Sequence, residues 1–177
     1  MNDVTYKGQL VVLSREAYND QCAMVSNLSD DERTEAGTFR RWPAKVVVAH
    51  CGTWQARGAQ VLTAIAQGEA PPVFDDLASF NLQVYEDNWD RPWPEILANA
   101  HGAFEAFCAA VMLFPEADLC KTYRRERLWR CILHYGYLHP QRHLAQFYRE
   151  HRNPSRAARI QQAMAEAVER LGEPPKN

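Results

Sequence analysis

The chain has 177 residues, with 22 acidic against 20 basic side chains and a formal charge of −2. That length suits one domain able to bury a core without disulfide or metal staples, and the near balance of charge gives no reason to expect nucleic acid or another polyanion as partner. Five cysteines, Cys22, Cys51, Cys108, Cys120 and Cys131, form an odd set without a C-x-x-C pair, which argues against a disulfide framework or zinc ribbon and for reduced thiols in the cytoplasm.

The N-terminal MNDVTYKGQL has neither the basic flank nor the apolar stretch of a signal peptide, and no run approaches the length of a membrane span. A cytoplasmic protein without a membrane partner is expected. Tyr6, Leu10, Leu13, Ala17, Met24 and Leu28 recur at steps of three, four or seven and mark one face of a first helix. Ser29 and Glu32 have the spacing of a capping box, so the chain breaks and re-enters a short turn there. A second helix is predicted from Pro43 to Gly68, with Val47, His50, Trp54, Gly58, Val61 and Ile65 on one stripe. Pro71, Pro72 and the polar run through Asp90 read as a long crossover, with a helical piece around Leu77 to Tyr85.

Pro94 opens a third helix with Leu97, Ala100, Phe104, Phe107, Val111 and Phe114 on one side, and Pro115 closes it. A fourth runs from about Glu126 to His151 and aligns Leu128, Ile132, Tyr135, His139, His143 and Gln146. Asn153 and Pro154 cap and open an amphipathic helix carrying Ala157, Ile160, Met164, Ala167 and Leu171, ended by Gly172 and Pro174-Pro175. No alternation of hydrophobicity suggests a sheet. The expected fold is all-α: an up-down four-helix bundle with a long crossover and an additional C-terminal helix. It forms a single domain over residues 1–177, with a core over about 4–151 and a last helix over about 154–171.

His139 and His143, four residues apart, point within about 40° of each other on a helix, close enough to share an ion. His50 occupies a core-facing position of another helix, where the stripe calls for an apolar group. Three neutral imidazoles converging in a bundle suit zinc or nickel and leave coordination positions open. Bundle histidines often only bond a carbonyl, and the position of His50 is what favours the ion. His134 lies about 140° from His139 and 180° from His143 around the helix and is expected to stand apart. His151 ends the fourth helix, where a cation suits the dipole.

The segment Trp42-Pro43-Ala44-Lys45-Val46-Val47-Val48-Ala49-His50-Cys51-Gly52-Thr53-Trp54 resembles the second-helix motif of the DinB/YfiT superfamily. In that motif a tryptophan precedes a helix carrying a ligand histidine and then another tryptophan. His139-Pro140-Gln141-Arg142-His143 resembles the second element, an H-x3-H in the later core helix, and Trp93-Pro94-Glu95-Ile96-Leu97 the start of the helix between them. The resemblance spans roughly Tyr6 to His151. It implies a small helix bundle, commonly a homodimer, whose histidine triad holds a divalent transition metal. Relatives of that kind include thiol-dependent transferases and isomerases, so a small electrophilic substrate and a low-molecular-weight thiol are the expected partners. The HPxxH element and long fourth helix also resemble the ClbS/DfsB branch, which opens a strained ring of a reactive metabolite without depending on the triad. A metal-dependent hydrolase or thiol transferase is therefore expected, with a metal-independent resistance protein or a non-catalytic binding bundle as alternatives.

Pro140 removes an amide donor and presses on the carbonyl of Gly136, which predicts a kink between the two ligands. Trp54 and Tyr135, one turn from the ligands, and His101, bordering the third helix's stripe, are candidates for a substrate pocket. Cys51 diverges by about 100° from His50 and cannot couple with it, and no carboxylate can be assigned as general base. Lys121, Arg124, Arg125, Arg127 and Arg130 read as a solvated helix entrance rather than a phosphate site. Val46, Val48 and Trp129, apolar and off the core stripes, suggest a dimer surface.

Overall fold

The computed structural model describes residues 5–73, 76–123, 125–151 and 153–174. The protein is built almost wholly of helices: α1 (Tyr6–Ser26), α2 (Asp30–Thr34), α3 (Ala44–Gln67), α4 (Leu77–Asn88), α5 (Trp93–Met112), α6 (Leu128–Leu133), α7 (His139–Glu150) and α8 (Pro154–Leu171). Local chemistry sets several of the ends. Ser29 and Glu32 form the reciprocal capping box, Gly68 closes α3 in the left-handed conformation at φ 72°, and Asn153 accepts from the Arg156 amide at the start of α8. Asp76 caps α4, so the crossover contains a helix three residues longer than its Leu77–Tyr85 pattern suggests.

One small departure from all-helical structure follows α5. A 3-10 turn over Glu116–Cys120 leads into an antiparallel pair of two-residue strands, β1 (Thr122–Tyr123) and β2 (Glu126–Arg127). Strands this short carry no period for a sequence to display, and they delay the fourth helix to Leu128. Arg124 in the basic stretch and Pro175 after α8 lie outside the described residues. Lys121 pairs with Asp118, Arg130 with Glu126, and both Arg127 and Arg130 with Glu173, consistent with a solvated charged surface.

α3 packs along α5, and α1 touches both α5 and the α6–α7 segment, which in turn meets α3. α8 packs on α7 and reaches α1. Two apolar clusters fill the interior. One joins Leu10, Leu62, Phe107, Val111 and Ile132, and the other joins Met24, Val47, Cys51, Ile96, Leu144 and Phe147. The stripes read from sequence are buried or half-buried apart from Leu97, whose inward position Ile96 takes, and Gln146, which are exposed.

Val46, Val48 and Trp129 are buried within the chain, at 0%, 2% and 6% exposure. The first half of α3 is covered on nearly all sides and Trp129 on α6 packs into the first cluster, so these residues are core and offer no dimer surface. No helix among the described residues is long and apolar enough to cross a membrane.

Candidate metal centre

Along α3 the second cluster ends at Cys51 and the first begins at Ala59; along the last core helix the first ends near Leu138 and the second begins at Leu144. Trp54, His139 and His143 fall in the interval between them, and His50 stands at its edge beside Cys51. His50 Nε2 lies 3.1 Å from His143 Nε2 and 3.1 Å from His139 Nε2. Among the described residues this is the one group of three or more His, Cys, Asp or Glu side chains gathered closely enough to hold a metal ion. His50 is buried, and His139 and His143 are half-buried.

Burial keeps all three rings neutral. The pKa of His50 is pushed down to about 2 by desolvation and then by His143 and His139; that of His139 falls to about 3, and that of His143 to about 4, again with desolvation first. A neutral imidazole is the form that ligates. The single in-plane site of His50 Nε2, whether N–H or lone pair, faces two nitrogens and can meet only one of them with good geometry. A cation at the centre meets all three lone pairs. Tetrahedral coordination at ~2.05 Å would separate the nitrogens by roughly 3.3 Å, close to the two spacings from His50. His50 Nδ1 is buried without a partner, so the protein does not fix this ring's tautomer from behind. The residues present fit a metal ion bound by three imidazoles.

The backbone before His139 is widened. Residues His134–Leu138 form a π-turn, with the His139 amide donating to the His134 carbonyl, and Pro140 sits in the first turn of α7. The expected kink thus takes the form of an i→i+5 turn, which accommodates the proline immediately after it. Two glycines let this turn press into the bundle. A Cβ on Gly58 would lie 2.9 Å from the Tyr135 side chain, and one on Gly136 would overlap the Ser14 hydroxyl and the Phe107 ring.

Aromatic rings enclose the trio. Trp42 stacks on His143 at 5.5 Å and 15° and lies 4.7 Å from His50. Trp54 lies 6.1 Å from His50 and 5.3 Å from His139, and Tyr135 stacks on Trp54 at 6.3 Å. Of the three pocket candidates, Trp54 therefore stands beside the ligands and Tyr135 beside Trp54. His101 does not join them: it is exposed on α5, with Nδ1 3.1 Å from the Tyr18 hydroxyl. Phe80 from α4 meets the Trp54 ring edge-on, the Arg57 guanidinium lies 4.4 Å over Phe80, and Asn81 accepts from the Trp54 indole. The roles of Phe80 and Asn81 at this wall were not signalled by the sequence, because α4 shows only a weak pattern, and Arg57 on α3 lies off that helix's apolar stripe. Trp42 was visible only as part of a motif.

The remaining residues behave as structural groups. His151 sits between the Phe147 carbonyl and the Glu35 carboxylate. Cys51 is buried and its pKa is pushed up to about 12 by desolvation, so it is a packed neutral thiol. Comparison with protein-family models, with curated proteins and with solved structures returns no match.

Proposed function

We propose that the protein is a DinB-like four-helix bundle, with α4 in its crossover and α8 appended, that binds a divalent transition metal and acts on a small electrophile by hydrolysis or thiol transfer. The observation that carries this reading is the convergence of three neutral Nε2 atoms on one point between two apolar clusters. The contacts of α1, α3, α5 and α6–α7 support the bundle, and the order of Trp42, His50, Trp54, His139 and His143 supports the family resemblance. Zinc or nickel suits three imidazole donors. When bound, such an ion supplies Lewis acidity, which makes a water or thiol nucleophilic at neutral pH.

The chain's own residues do the rest. His50, His139 and His143 present three donors and leave coordination open, because among the described residues no carboxylate or cysteine completes the group. Trp42, Trp54 and Tyr135 exclude water from one side and give an apolar wall against which a substrate is oriented. Elemental analysis of untagged protein, beside its His50→Ala variant, tests the metal. About one ion per chain, lost in the variant, is expected. A turnover screen with and without chelator tests the chemistry: activity undiminished by chelation would replace this reading with the metal-independent, ClbS-like one.

A further inference from the structure

On the opposite side of α7 from the histidine trio, a groove of about 760 Å³ runs between α1 and α8. Gln141, which lines it, is two residues from both His139 and His143 and so about 200° around the helix from each. The α1 wall carries Glu16 and Asp20, and the α8 wall carries Arg156 and Arg159. Among the described residues no ion pair joins these walls.

Neutral groups hold the charges in place instead. Asp20 accepts from Gln141 Nε2, and the Arg156 guanidinium lies 4.4 Å from the Tyr148 ring centroid while its backbone amide donates to Asn153. One polar atom of a lining residue has no partner, Gln141 Oε1, on a residue 3% exposed; behind Arg156 the Tyr148 hydroxyl, on a residue 7% exposed, also has none. The Tyr148 hydroxyl also lies in the fields of both Arg156 and Asp20. Buried unpaired polar atoms are costly, and each calls for a partner that the protein itself does not supply.

We propose that this groove binds a small zwitterion of the amino-acid type, its carboxylate toward Arg156, Arg159 and the first turn of α8, and its ammonium toward Asp20 and Glu16. The N-terminal turn of an 18-residue helix adds a positive dipole end to the cationic wall. A simple anion would be repelled by the α1 carboxylates, and a simple cation by the α8 guanidiniums. A molecule bearing both charges a few ångströms apart satisfies both walls. Asp20 and Arg156, already fixed by neutral partners, lose little freedom on binding.

The test is an amide-proton NMR titration of the isotope-labelled full chain with L-alanine, L-serine and L-glutamine, and in parallel with acetate and methylammonium. Saturable shifts are expected with the amino acids alone, at the Gln141 side-chain amide and at the amides of Asn153, Ser155 and Arg156. Asp20→Asn and Arg156→Gln should each weaken binding at least ~10-fold, equivalent to about 1.4 kcal/mol. The exposed Arg159→Gln should weaken it while leaving the rest of the spectrum unchanged, which separates lost recognition from lost folding. Chelation should not alter it, since the groove is independent of the histidine trio. Acetate binding as tightly as alanine, or no saturable shift with any of the three amino acids, would overturn the proposal.

Discussion

The ring centroids of His134 and His139 lie 5.7 Å apart, although five residues along an α-helix would turn them about 140° away from each other. The i→i+5 hydrogen bond from the His139 amide to the His134 carbonyl accounts for this, because a turn closed that way sets its last residue nearly above its first. The wide angular separation expected for a regular helix is therefore corrected, while His134, although beside His139, stays outside the group that could hold an ion, as expected. Replacing His50, His139 or His143 by alanine should remove most of the bound ion, while His134→Ala keeps the stoichiometry. Elemental analysis of the four variants checks this, and equal loss from His134→Ala and His139→Ala would defeat the three-ligand assignment.

Two glycines in helical segments should respond to alanine with opposite signs. Glycine in a helix ordinarily costs about 1 kcal/mol relative to alanine. A methyl on Gly102 meets nothing within 4 Å, so Gly102→Ala should stabilise the fold by up to about that amount. Gly136 instead faces Ser14 and Phe107 at the π-turn, where overpacking costs about 1–3 kcal/mol and outweighs the propensity gain. Urea unfolding of both variants should show midpoints moving in opposite directions.

How much of this could be read from sequence depended on whether the signal was local. Ser29 with Glu32, Gly68, and Asn153 with Pro154 mark helix ends by chemistry confined to a few residues, and all appear in the fold. The convergence of His50 with His139 and His143 was legible because each falls on a helical stripe whose other members are apolar. The π-turn was not, since it depends on Pro140 together with the close approach of Gly136 to Ser14, 122 positions earlier in the chain. Val46 and Val48 read as surface because a helix is normally buried on one face, whereas the start of α3 is surrounded. His101 bordered a core stripe but was turned outward to Tyr18, a distinction of tens of degrees that periodicity does not resolve.

Acid should destabilise the metal-free protein earlier than carboxylate protonation alone. His50, His139 and His143 are held neutral in the fold, with pKa values near 2, 3 and 4, whereas in the unfolded chain they titrate near the ordinary 6.5. Below that value the unfolded state binds protons that the folded state does not, so stability falls as pH drops. The contribution is fully present above pH 6.5 and is lost progressively as pH falls toward the folded values. Urea midpoints of the stripped protein at about pH 7 and about pH 5 should differ, with a smaller difference in His50→Ala, which removes one of the three groups. Parallel pH dependence in the two proteins would contradict this account.

Removing the ion should leave the helices standing. The two apolar clusters that flank the trio contain Phe104's neighbour Phe107, Leu62, Ile132, Ile96 and Leu144, all nearly or fully buried, and a chain of this length does not need a metal staple to fold. The trio also supplies three protein donors rather than the four of a closed structural site. Chelation is therefore expected to preserve the far-ultraviolet circular dichroism at room temperature while lowering the thermal midpoint, because an ion that binds only the folded state stabilises it by mass action. Readdition of zinc should restore that midpoint. Cooperative loss of helicity on chelation would show that the ion organises the fold, and an unchanged midpoint would show that it does not bind the folded chain.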